Sequence, residues 1–137
     1  MIRIALADDH HQVRETWHYI LSTNKDFEVV AKCRNGQEAI EAATAYSPDV
    51  FLMDINMKPV TGIEATETIK RLKPEIKIIG MSIHMDAVYV KRMLLAGAQA
   101  YVTKNSPYQE VFDAIVHVHE GRQYICSEVQ RKFPVYL

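Results

Sequence analysis

The 137-residue chain is 48% hydrophobic and 24% charged, with a formal net charge of −1, the composition of one ordinary globular domain. That balance excludes a global attraction to nucleic acid or an anionic membrane, and no apolar run reaches the length of a bilayer span. Two cysteines, Cys33 and Cys126, match no metal or redox spacing and read as reduced thiols; the N-terminus enters a strand pattern without a signal-peptide layout, so the expected location is the cytoplasm.

Residues 2–7 form a nearly continuous apolar strand that runs into Asp8-Asp9. A helix over 11–21 follows, with Val13, Trp17, Ile20 and Leu21 on one stripe, so Trp17 reads as core packing. Residues 28–33 are the second strand signal. Asn35 caps a helix carrying Ala39, Ile40 and Ala43 that stops before Ser47-Pro48. The third strand, 50–54 (VFLMD), is apolar until Asp54. Thr61-Gly62-Ile63-Glu64 is a capping box that opens a third helix, closed near Lys73-Pro74. The fourth strand, 77–81, precedes Ser82. Asp86 is the expected cap of a fourth helix through Val90, Met93 and Leu94, ended by Gly97. The fifth strand, 100–104, ends in Lys104. Ser106-Pro107-Tyr108-Gln109 then reads as cap, N1 proline and N3 glutamine of a helix running to Gly121.

Five strands alternating with five helices predict parallel βα units, with right-handed crossovers covering both faces of an open sheet. Continuous apolar runs are what strands buried on both faces require. Such sheets bind ligands beyond the carboxyl ends of their strands. Asp8, Asp9, Asp54, Ser82 and Lys104 all fall at that edge. If the first and third strands are neighbours, three carboxylates converge. At about 5 Å and an effective dielectric near 20, each pair repels by about 3 kcal/mol. A cluster of that kind calls for a cation, and oxygen donors favour a hard one such as Mg²⁺.

The set Asp8-Asp9, Asp54, Ser82, Tyr101 and Lys104, in this order and spacing, resembles the receiver domain of two-component response regulators. The stretches ADDHHQVRE (7–15), AGAQAYVTKNS (96–106) and AIVHVHEGRQYI (114–125) resemble its NarL/FixJ-like (LuxR-type) branch. The resemblance implies a doubly wound (βα)5 flavodoxin-like, CheY-like α/β sandwich with parallel strand order 2-1-3-4-5. It also implies a receiver over 1–127, with 128–137 the start of a linker or tail. By the same resemblance, Asp54 is the phosphoacceptor, its carboxylate attacking the phosphorus of a phosphohistidine on a sensor histidine kinase. Asp8, Asp9, Asp54 and the backbone carbonyl of Asn56 would hold Mg²⁺. Lys104 would contact a phosphoryl oxygen, and Ser82 would donate to another. Tyr101 would turn from outward to inward as Ser82 moves. Relatives of this branch dimerise on phosphorylation and act on DNA through a helix-turn-helix domain, a pattern missing from these 137 residues.

Two features depart from the family pattern. Lys58 stands where a proline is usual, with Pro59 one place later, so Lys58 is a candidate for tuning phosphate lifetime. His84, two residues after Ser82, is a second tuning candidate. His10 and His11 read as helix-start residues, since Mg²⁺ prefers oxygen. Two other functions stay open: a stand-alone receiver acting through protein–protein contacts, and an aspartate-nucleophile phosphatase. Against the latter, Asn56 occupies the place of its second acid.

Overall fold

The computed structural model describes residues 1–83 and 86–132. Its strands are β1 (Ile2–Ala7), β2 (Phe27–Cys33), β3 (Val50–Asp54), β4 (Lys77–Ser82), β5 (Ala100–Thr103) and β6 (Tyr124–Ile125). They form one parallel sheet in the order β2-β1-β3-β4-β5-β6. The expected five-strand order is present, and the two-residue β6 extends it past β5. The helices are α1 (His11–Ser22), α2 (Gly36–Tyr46), α3 (Gly62–Leu72), α4 (Ala87–Ala96), α5 (Tyr108–His119) and α6 (Ser127–Lys132). α2, α3 and α4 pack in succession over one face, while α1 and α5 cover the other.

Central strands lie between two helical layers and are buried on both faces. All five residues of β3 are buried, and Ile4, Phe51, Ile78 and Ile79 are fully enclosed. Trp17 is buried in the same core. Each large aliphatic side chain removed from water contributes about 1.5–3 kcal/mol, and that burial fixes strand order. The carboxyl edge then carries whatever residue follows each apolar run.

Some helix ends follow the local chemistry and others depart from it. Asn35 accepts the Glu38 N–H, and Thr61 with Glu64 forms the complete capping box. Gly97 closes α4 in the left-handed region at φ 117°, where a side chain would be strained. Asp86 occupies the N-cap position of α4 but makes no side-chain capping bond. α5 begins at Tyr108, with Pro107 as its N-cap. Ser106 turns back instead, its Oγ accepting the Thr103 N–H at 3.1 Å.

Candidate functional site

Strand register assembles the site. β1 and β3 pair Ala7 with Met53, so one further step along each sets Asp8 beside Asp54. β3 and β4 pair Asp54 with Met81, and β4 and β5 pair Ser82 with Thr103. Lys104 follows at the same edge, its N–H donating to the Ser82 carbonyl at 3.0 Å. Carboxylate oxygens of Asp8, Asp9 and Asp54 and a ring nitrogen of His10 all lie within 4.8 Å of one another. The site opens through a depression of about 260 Å³ lined by His10, Val13, Asp54, Asn56, Ile83 and Lys104.

Lys104 Nζ lies 2.9 Å from Asp8 Oδ2 and 3.5 Å from Asp54 Oδ1. The Asn56 N–H donates to Asp54 Oδ1 at 3.3 Å. Asp54 Oδ2 is buried with no hydrogen-bond partner among the described residues. Burial, reinforced by the charge of Asp8, pushes the Asp54 carboxyl up to about 6, against the pull of Lys104 and the Asn56 N–H. Three carboxylates crowd around one ammonium, so acidic oxygens are in excess at this edge. This donor set, with a buried carboxylate oxygen still unsatisfied, fits a small divalent cation.

Ser82 and Tyr101 are both fully buried, and their side chains hydrogen-bond to each other. The Tyr101 ring is therefore already inward, rather than at the outward starting position that the family resemblance implies, because the Ser82 hydroxyl and the surrounding core hold it there. Burial pushes its phenol up, with the Ser82 bond pulling the other way. Lys58 and the Asn56 side chain are exposed on the loop after β3. His84 lies outside the described residues.

Two residues do more here than their sequence positions signalled. His10 does occupy the N-cap position of α1, without a side-chain capping bond. The Asp8 carboxylate accepts the His10 N–H at 2.8 Å, a tight turn that swings the ring over the acids. Its Nδ1 then sits 3.2 Å from Asp8 and 3.0 Å from Asp9. Arg14 is buried and donates to the Asp8 backbone carbonyl at 2.7 Å. A signal for it existed, because Arg14 shares the buried stripe of α1 with Trp17 and Leu21.

Residues 4–116 match the family described as the response regulator receiver domain. The chain belongs to that family. Among its relatives, the transcriptional regulatory protein DegU of Brevibacillus brevis is 40% identical over 128 residues, covering 93% of this chain and 54% of DegU. Response regulator UvrY of Escherichia coli is 36% identical over 132 residues, covering 96% of this chain and 61% of UvrY. This receiver thus spans little more than half the length of those regulators. A solved two-component response regulator of the LuxR family from Aurantimonas superposes with a TM-score of 0.94 at 29% identity, covering 99% of this chain and 97% of that one. As a receiver, the chain is a signalling domain. Among the described residues, no helix is long and apolar enough to cross a membrane.

Proposed function

We propose that this receiver accepts a phosphoryl group on Asp54 from a sensor histidine kinase in the cytoplasm. Its change of shape would control a helix-turn-helix DNA-binding domain of the full-length regulator, and hence transcription. The observation that carries the reading is Asp54 itself: buried at a strand's end, flanked by Asp8 and Asp9, facing Lys104, with one oxygen unsatisfied.

An Asp54 oxygen attacks phosphorus while the P–N bond of the phosphohistidine breaks, its electron pair returning to the imidazole. A mixed anhydride remains on Asp54. Charge spreads over the equatorial phosphoryl oxygens during transfer, so fixed positive charge and positioning supply most of the rate. Lys104 supplies that charge, already within ion-pair distance of Asp54. Asp8, Asp9, Asp54 and the Asn56 carbonyl are the oxygen donors that would hold Mg²⁺. When bound, that ion neutralises the acid cluster and polarises phosphoryl oxygen.

Ser82 and Tyr101 form the switch in this reading. A phosphoryl oxygen competes with Tyr101 for the Ser82 hydroxyl, which ties Tyr101 and the surface around α4, β5 and α5 to the state of Asp54. Dimerisation on phosphorylation belongs to the same proposal. With the receiver ending at 127 and a linker starting at 128, α6 becomes the linker's first turn, seated beside β5. Lys58 would tune the lifetime of the anhydride from its exposed place in the loop.

Incubation with acetyl phosphate and Mg²⁺, read by intact mass, tests the reading. One added phosphate is expected, and none on Asp54→Ala. No mass gain on the wild-type chain would overturn it. Steady hydrolysis of phosphate esters is not expected, since Asn56 stands where a phosphatase of this nucleophile class needs an acid.

A further inference from the structure

Thr103 ends β5 one residue before Lys104, and its side chain is 1% exposed. Its hydroxyl donates to Glu128 Oε1 of α6 at 2.7 Å, the short distance of a charge-assisted bond. Thr103 also closes the turn that carries Lys104. Its N–H donates to Ser106 Oγ at 3.1 Å, its carbonyl accepts the Ser106 N–H at 3.0 Å, and the two hydroxyl oxygens lie 3.3 Å apart. Lys104 therefore rides on a short turn whose base is fastened to a carboxylate on another helix.

That helix has its own anchors. Glu110 Oε2 accepts the Ser127 N–H at 2.8 Å, the Ser127 hydroxyl at 2.7 Å and the Tyr124 hydroxyl at 3.0 Å. Val129 is fully buried, and the Cys126 N–H donates to the Tyr101 carbonyl at 2.9 Å. α6 thus has anchors besides Glu128, and the Thr103 contact is the one among these that joins it to the Lys104 turn.

We infer that Glu128 is a positioning residue for Lys104, acting through the Thr103 hydroxyl, and that it links the seating of α6 to the phosphoryl site. The inference rests on the phosphoacceptor reading of Asp54 and Lys104. Glu128 falls beyond the residues matched to the family, which end at 116. Linkage is reciprocal: if a fastened turn favours the phosphorylated site, phosphorylation must favour the fastened α6.

The rate of phosphorylation by acetyl phosphate with Mg²⁺, followed by intact mass, tests this on the 137-residue chain. Glu128→Ala and Thr103→Val should each slow it measurably, and together no further than either alone. Glu128→Gln and Thr103→Ser should keep most of the wild-type rate, because an acceptor and a hydroxyl remain. In a Lys104→Ala background, Glu128→Ala should change nothing more. Hydrogen exchange of the α6 amides should slow on phosphorylation of the wild type and not of Glu128→Ala. A wild-type rate in Glu128→Ala, or an equal slowing with Lys104 already removed, would overturn the inference while leaving the phosphoacceptor reading intact. Absence of phosphate on the wild-type chain would overturn both.

Discussion

A carboxyl group that is 3% exposed ionises against its surroundings. Asp54 is held near 6 rather than the ordinary 3.8, first by burial and then by Asp8. The folded protein therefore binds the Asp54 proton more tightly than the unfolded chain does. Stability from this group is full below about pH 4 and is lost as pH rises through about 6. Asp54→Asn, which cannot ionise, should be more stable than wild type by about 2–3 kcal/mol near neutral pH in metal-free buffer. The gap should close on acidification to about pH 4. Parallel urea titrations at several pH values measure it, and a gap independent of pH would contradict the cause assigned to the shift. Asp8, Asp9, Asp54 and Lys104 were legible at this scale because each ends an apolar strand. His10 was underestimated, since the turn that brings its ring over the acids is set by an Asp8 side-chain bond that spacing alone does not reveal.

Elements meet the site through their ends. The loop after β3 returns so closely that Gly62 donates its N–H to the Ile55 carbonyl at 2.8 Å. A Cβ at Gly62 would lie 1.9 Å from the Asp54 carbonyl oxygen, against backbone rather than a yielding side chain. Gly62→Ala should therefore cost well over the about 1 kcal/mol expected for Thr61→Ala, which loses only the capping bond of α3. Denaturation midpoints of the two variants check the order. The capping box was readable from Thr61 and Glu64, yet nothing in the string distinguishes Gly62 as a contact with a strand end. Ser106 misled for a related reason. Its hydroxyl suits a helix cap, but the Thr103 N–H three residues earlier lies in reach and the local turn takes it. β6 and α6 left no periodic signal at all, because two strand residues and six helical ones are too few to repeat.

The molecule as a whole follows from alternation: five β-rich strands, three of them nearly continuously apolar, each trailed by an amphipathic helix leave a doubly wound sheet with little freedom of topology. That much was plain in the sequence, whereas the inward Tyr101 and the reach of Lys104 to two acids needed side-chain coordinates. Two predictions concern the whole fold. Mg²⁺ at about tenfold above its dissociation constant should stabilise the protein by about 1.4 kcal/mol, or some 4 °C in melting temperature. Asp9→Ala should abolish that shift, and calorimetry with and without the ion decides it. Cys33 and Cys126 are both buried, and burial pushes the Cys33 thiol up to about 12. An aromatic disulfide reagent should accordingly modify neither thiol in the native state and both on unfolding, at a rate set by global opening.

The added β6 bears on a different hazard. An open parallel sheet has two rims, each a row of backbone groups that a stranger's strand can join. Beside β5, the bonds from Tyr124 and Cys126 to the Gln99 and Tyr101 carbonyls occupy that row, which leaves the two-residue β6 as the rim on that side. The opposite rim, β2, has no such cover among the described residues; it carries exposed Glu28 and a Lys32 ion-paired to Glu15. Fibril-like stacking is thus discouraged on one flank by a very short edge strand and on the other by charge, so neither border of the sheet offers an easy seam.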